Sequence, residues 1–172
     1  YLIGTSGFMT RAQIDELHAN GHEIVSHGVT HGFLSENLTE VKESYDTLNA
    51  FGYEVENIVY PGGTYNKNVI NECKKYYNCG VSVTRGFNKA PINTFGLNRY
   101  AMGALWSNQT FDGILEDGSF TSYKAMVDKA VADNSWLIFM LHSSTLDSDT
   151  TQLQYIGDTI DYIKSLNVPI VT

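Results

Sequence analysis

Apolar positions recur along the chain at two spacings. Ile14 and Leu17 follow Thr10-Arg-Ala-Gln13, which has the form of a capping box, so a helix is predicted there, ending at Gly21. His22 to Ser26 then reads as a strand. Leu38, Val41, Tyr45 and Leu48 share one helical face, with Thr39 as the start and Gly52 as the stop. Ile58-Val-Tyr60 is a short strand closed by Pro61-Gly62-Gly63. A third helix covers about Asn66 to Tyr77, with Val69, Ile70 and Cys73 inward, and Gly80 to Thr84 is the next strand. Residues 85–120 are rich in Asn, Gly and Ser and carry one short predicted strand, Leu97 to Tyr100. Thr121 or Ser122 caps a fourth helix bearing Tyr123, Met126, Val127 and Ala130. Trp136 to Leu141, the longest apolar run, suits a buried strand. Leu153, Ile156, Ile160 and Ile163 mark a last helix.

Strands that alternate with helices imply parallel strands joined by right-handed crossovers. The architecture is a (β/α) barrel, regular or irregular, or an open doubly wound sheet. Both gather chemistry at the carboxyl ends of strands. The strand-like first residues and Pro169-Ile-Val-Thr172 predict that residues 1–172 are one domain truncated at both ends.

Composition narrows the picture. The 172 residues suit one domain, and 42% apolar against 17% charged residues is globular. A formal net charge of −8 without a Lys/Arg cluster argues against nucleic acid and anionic membrane as partners. No stretch is apolar enough to span a bilayer. Cys73 and Cys79 match no common zinc spacing; they are ordinary thiols or a disulfide closed by a turn at Asn78.

Candidate chemistry lies at three predicted strand ends. His27 follows the strand ending at Ser26, and His31 comes four residues later. On a helical turn two such imidazoles reach one ion, and zinc suits neutral imidazole nitrogen; two polar loop histidines are the plainer reading. Tyr60-Pro61-Gly62-Gly63 ends another strand. Pro-Gly explains a tight turn fully, but glycine also permits close approach of a substrate to a backbone N–H. His142 ends the run Trp136 to Leu141, placed as a general acid or base or as a hydrogen-bonded core histidine. One shared site is the economical explanation for all three.

The stretch Leu2-Ile-Gly4, Met9-Thr-Arg-Ala-Gln13 and Asn20-Gly21-His22-Glu23-Ile24-Val25-Ser26-His27-Gly-Val-Thr-His31 resembles the NodB-like polysaccharide deacetylases, carbohydrate esterase family 4. The resemblance continues through Tyr60-Pro61-Gly62-Gly63 to Met140-Leu141-His142. It implies an irregular (β/α) barrel, lacking its first strand in this segment, and a divalent metal, most often zinc. It implies hydrolysis of N-acetyl groups on a hexosamine polysaccharide such as poly-N-acetylglucosamine, peptidoglycan or a chitin-like chain, by a secreted or cell-surface enzyme. It makes His27 and His31 metal ligands, His142 the acid that protonates the leaving amine, and Gly62 an oxyanion donor. Leu141 then lines the acetyl pocket, and Tyr60 and Arg99 lie on the substrate side. His22 is structural, and His18 solvent-exposed.

The match has departures. The family's Thr-Phe-Asp-Asp motif, which carries the base and a third ligand, is absent from these residues. Either the parent chain holds it upstream or the protein is an inactive carbohydrate-binding remnant. A metal-dependent deacetylase of O-acetyl esters is a further alternative. Gly28 replaces Ser/Thr, Val59 replaces an arginine and Gly62 an aromatic residue. No Asp-x-x-Asp-Trp motif is evident. Asn98-Arg99-Tyr100 stands near its place, so Arg99 is a candidate carboxylate partner and Asp147 or Asp149 a candidate neighbour of His142. Exposed Tyr65, Tyr100 and Trp106 are candidates for stacking on sugar rings, with core packing as the plainer fate.

Overall fold

A computed structural model describes residues 3–103, 108–142 and 149–171. The chain divides into two compact units, residues 1–83 with 93–97 and 172, and residues 84–92 with 98–171. The architecture is mixed α/β, as the alternation of patterns predicts.

The first unit holds α1 (Arg11–Ala19), α2 (Thr39–Ala50), β1 (Asn57–Val59), α3 (Lys67–Cys73) and β2 (Cys79–Val81). Thr10 caps α1 as its sequence predicts: its hydroxyl accepts the Gln13 N–H, and its own N–H donates to Gln13 Oε1 at 2.8 Å. Asn66 caps α3 by accepting the N–H groups of Asn68 and Val69. β1 and β2 run parallel, with Ile58 opposite Gly80. Isolated parallel bridges extend this pair on both sides, Ser26 to Ile58 and Val81 to Leu97. Four segments thus lie in parallel, and their carboxyl ends fall at His27, Tyr60, Ser82 and Asn98. Ile58, Tyr60, Val41, Val69, Cys73 and Leu34 are wholly buried beneath them.

The second unit holds β3 (Tyr100–Ala101), β4 (Gln109–Phe111), β5 (Ile114–Glu116), α4 (Phe120–Ala132), β6 (Phe139–Met140) and α5 (Thr150–Ser165). β3 pairs in parallel with β6, and β4 with β5 in an antiparallel hairpin. Tyr100, Tyr123 and Met126 form its fully buried centre. Tyr123 Oη donates to Gln152 Oε1 at 2.9 Å, and Gln152 Nε2 donates to the Gly118 carbonyl at 2.7 Å, which ties α4 and α5 to the turn after β5.

Several expectations are corrected. Residues 3–9 are turns, not a strand: Gly4 N–H donates to the Met9 carbonyl at 2.9 Å and Phe8 to Thr5 at 3.0 Å. Of His22 to Ser26 only Ser26 pairs, with bonds to Asn57 and Val59 on one side. Trp136 to Leu141 is not a buried strand. Only Phe139–Met140 is strand, while Trp136 and Leu141 are 42% and 44% exposed. The described part of the segment after Pro169 is irregular. The cap of α4 is Ser119, whose hydroxyl accepts the Ser122 N–H, two residues before Thr121 and three before Ser122, the predicted caps. The β4–β5 hairpin lies in the stretch that the sequence pattern leaves unassigned. Among the described residues no helix is long and apolar enough to cross a membrane.

Candidate metal-binding loop and its surroundings

His27 stands at the carboxyl end of the Ser26 bridge, where a site is expected in a parallel array. Its Nδ1 lies 2.7 Å from the Val59 carbonyl oxygen. That oxygen only accepts, so Nδ1 carries the proton and Nε2 is the ring nitrogen that holds the lone pair. Metal-ligating histidines are commonly oriented in this way by a backbone carbonyl. The His27 and His31 rings meet edge to face, centroids 4.8 Å apart, and both residues are exposed. The pairing does not come from a helical turn. Residues 27–32 are an irregular loop in which Gly28 and His31 have left-handed backbones, φ +75° and +64°. A left-handed histidine is uncommon and persists only where its surroundings fix it.

What fixes it is a residue that the sequence pattern does not single out. Glu40, in the first turn of α2, is 5% exposed. Its Oε2 accepts the N–H groups of Val29 at 2.9 Å and Thr30 at 3.1 Å, and its Oε1 accepts the Thr30 hydroxyl at 2.6 Å. Burial pushes this carboxyl up, and the bonds from Thr30 and Val29 more than reverse that, leaving it below its ordinary value. A negative charge in the first turn is also favoured by the helix dipole. Beneath it, Ser44 Oγ donates to the Glu40 carbonyl at 2.6 Å, and Ser26 Oγ donates to Ser44 Oγ at 2.8 Å. The residue before His27 is thus anchored to the helix that carries Glu40. The available signal was the i, i+4 pair Glu40 and Ser44 flanking the apolar positions Val41 and Leu48, which puts both on the inner edge of the helix.

The Pro61 turn closes the loop's other side. Gly62 is exposed, with φ +61°. Phe33, 47% exposed, lies directly over it: a Cβ on Gly62 would stand 2.7 Å from Phe33 Cε1. An apolar ring therefore borders the turn. Tyr60 is not on this surface. Its side chain is fully buried, its Oη donates to the Phe95 carbonyl at 3.0 Å, and its ring stacks on Tyr65 at 4.7 Å. Its placement on the substrate side is corrected to a place in the core, because its large ring fills the space over β2.

The remaining sequence candidates belong to the second unit. His142 and Leu141 follow β6 and are exposed. Arg99 is half-buried. Burial lowers its guanidinium from the ordinary value, and its Nε, shielded from solvent, has no hydrogen-bond partner among the described residues. No carboxylate holds that Nε among those residues, so the expected carboxylate pairing is not found there. Tyr100 is buried and donates to Asp112 Oδ2 at 3.1 Å, which removes it from the stacking candidates. Asp149 caps α5 by accepting the Gln152 N–H. Trp106 and Asp147 lie outside the described residues. His18 is exposed against Tyr53, at 5.4 Å between centroids, and His22 is exposed.

Two imidazoles, one with its tautomer set and both open to solvent, form a donor set that fits a divalent ion of the zinc type. Among the described residues no cluster of three or more His, Cys, Asp or Glu side chains is placed to hold one. The two histidines would supply part of a coordination shell.

Residues 1–78 match the family model described as polysaccharide deacetylase. Among solved structures, a polysaccharide deacetylase from Bacillus cereus is 27% identical over 57% of this chain and 34% of its own, with a TM-score of 0.53. A Streptococcus pyogenes deacetylase, solved in complex with acetate, is 28% identical over 56% of this chain and 46% of its own, with a TM-score of 0.52. The chain thus spans less than half the length of either. No curated protein matches it.

Proposed function

We propose that the chain is a relative of the NodB-like polysaccharide deacetylases and forms part of a metal-dependent enzyme that removes N-acetyl groups from a hexosamine polymer. The observation that carries this is the His27–His31 pair at a parallel strand end, with the tautomer of His27 set by the Val59 carbonyl. A bound divalent metal would supply a Lewis-acid charge that acidifies water and polarises the amide carbonyl. His27 and His31 would hold it. The Gly62 N–H meets the amide oxygen as that oxygen gains charge in the tetrahedral state. His142, in its imidazolium form, passes a proton to the amine nitrogen as the C–N bond breaks. Leu141 gives the acetyl methyl an apolar contact. Phe33 offers its exposed face to a pyranose ring. The base that takes the proton from water lies outside this set. In this reading the parent fold is an irregular (β/α) barrel, and the enzyme works outside the cytoplasm, where such polymers lie.

Acetate release tests the proposal. Full-length protein loaded with zinc is expected to release acetate from chitooligosaccharides, and His27→Ala and His142→Ala are each expected to lower kcat by at least about a hundredfold. Stoichiometric zinc binding without acetate release would point to the second reading, a carbohydrate-binding remnant. Release from O-acetyl esters alone would move the enzyme to another bond class.

A further inference from the structure

We propose that Glu40 is a positioning residue for the metal: its carboxylate holds the backbone between His27 and His31 in the one shape that turns both imidazoles toward a common point. The inference rests on the metal-binding reading of those two histidines and adds a determinant that neither histidine supplies.

The geometry is specific. The histidines flank Gly28, Val29, Thr30, and the two consecutive N–H groups of that segment, Val29 and Thr30, both end on Glu40 Oε2. The Thr30 hydroxyl takes Oε1 and in turn accepts the Gly32 N–H at 3.2 Å, which carries the clamp past His31. Both carboxylate oxygens are therefore engaged by one loop. A carboxylate is acceptor-only and can satisfy converging N–H groups; an amide in its place would turn a donor toward one of them. The loop needs such a clamp because His31 sits at φ +64°, a backbone that a free loop would leave. Gly28 brings the chain close enough: a Cβ there would stand 3.2 Å from Glu40 Oε2 and 3.3 Å from Pro61 Cγ. α2 is itself fixed to the residue before His27 through Ser44 and Ser26, and Tyr77 Oη adds a bond to the Val41 carbonyl at 3.0 Å. The acid is thus held rigidly against the loop it orders.

Charge alone does not explain this arrangement. A surface carboxylate near a loop would be solvated, whereas Glu40 is buried and spends its acceptor capacity on the three groups between and beside the histidines. Outer contacts of this sort alter metal affinity by about 10–100-fold when removed.

The test measures Zn2+ affinity in the full-length protein by competition with a chromogenic chelator, together with the melting temperature of the metal-free form. Glu40→Gln is expected to bind Zn2+ at least about tenfold more weakly while still folding. A purely structural role would lower the melting temperature of the metal-free protein and leave the affinity of the folded fraction unchanged, and that result overturns the proposal. If Glu40→Gln does not fold, the Thr30 pair decides. Thr30→Val removes the hydroxyl and is expected to weaken Zn2+ binding several-fold, while Thr30→Ser keeps it and is expected to match wild type. Equal affinity in both Thr30 variants overturns the proposal. Wild-type protein that binds no Zn2+ overturns the metal reading itself, a failure distinct from unchanged affinity in Glu40→Gln.

Discussion

Replacing Gly28 by alanine tests whether the loop carrying the histidines is constrained as tightly as its contacts imply. Two effects add at this position. The left-handed backbone, φ +75°, costs an L residue about 1–2 kcal/mol. The new Cβ would also press on Glu40 Oε2 at 3.2 Å, on Pro61 Cγ at 3.3 Å and on Leu34 Cδ2 at 3.5 Å. Glu40 yields only by loosening bonds to a charged acceptor, each worth about 1.5–3 kcal/mol. The expected destabilisation is roughly 2–4 kcal/mol, or a drop in melting temperature of roughly 4–16 °C for a chain of this size. Gly28→Ser carries the same Cβ and is expected to lose stability too. Gly52→Ala is the control: φ is +92° but nothing lies within 4 Å of its Cβ, so it carries the backbone cost alone. Urea denaturation of the full-length variants, followed by circular dichroism, gives the difference directly. Gly28→Ala as stable as Gly52→Ala would refute the claim that Glu40 and Pro61 close on the loop.

Three further outcomes are expected. Arg85 Nε lies 2.6 Å from Oε2 of Glu116, a fully buried acid, so Arg85→Ala removes the cation and should cost on the order of 3 kcal/mol; a loss under about 0.5 kcal/mol in the urea midpoint would count against a paired buried charge. Glu40 and Asp117 have folded-state carboxyls below their ordinary values of 4.5 and 3.8, the latter through the Ser119 hydroxyl and N–H. Their contribution to stability is therefore complete above those values and is lost as pH falls through the lower folded ones, so the urea midpoint should decline on acidification below about pH 4.5. A midpoint unchanged down to pH 3, or an identical decline in Glu40→Gln, would contradict this. Cys73 and Cys79 are both free, and burial pushes their thiols up to about 12 and about 11, so native protein should react slowly with iodoacetamide at pH 8 and fast only after unfolding. Rapid modification of both in the native state would refute the assignment.

What could be read along the chain was whatever depends on near neighbours. The Thr10 capping box, the start of α2 at Thr39, the Asn66 end of α3 and the turn at Pro61 each rest on residues within one or two turns of each other, so local composition suffices to place them. The pairing of His27 with His31 was legible for the same reason, and so was its place after a parallel strand end. Elements whose definition requires a partner far away fared less well. Ser26 alone of its expected strand finds a bonding partner, and Trp136 to Leu141 is apolar without being buried, because burial depends on what packs against both faces.

Residue order sets the alternation of helices and parallel strand ends, the excess of acidic charge and the two histidines four residues apart. What holds those histidines follows only from the folded chain. Val59, 32 residues from His27, sets the tautomer, and Glu40 sets the loop through backbone N–H groups that have no letter in the sequence. Folding also puts Tyr60 in the core and leaves Phe33 exposed over Gly62. The physical reason is common to all of these. Hydrogen bonds to main-chain atoms and contacts with glycine depend on where the backbone passes, and side-chain identity does not encode that path until the chain has folded.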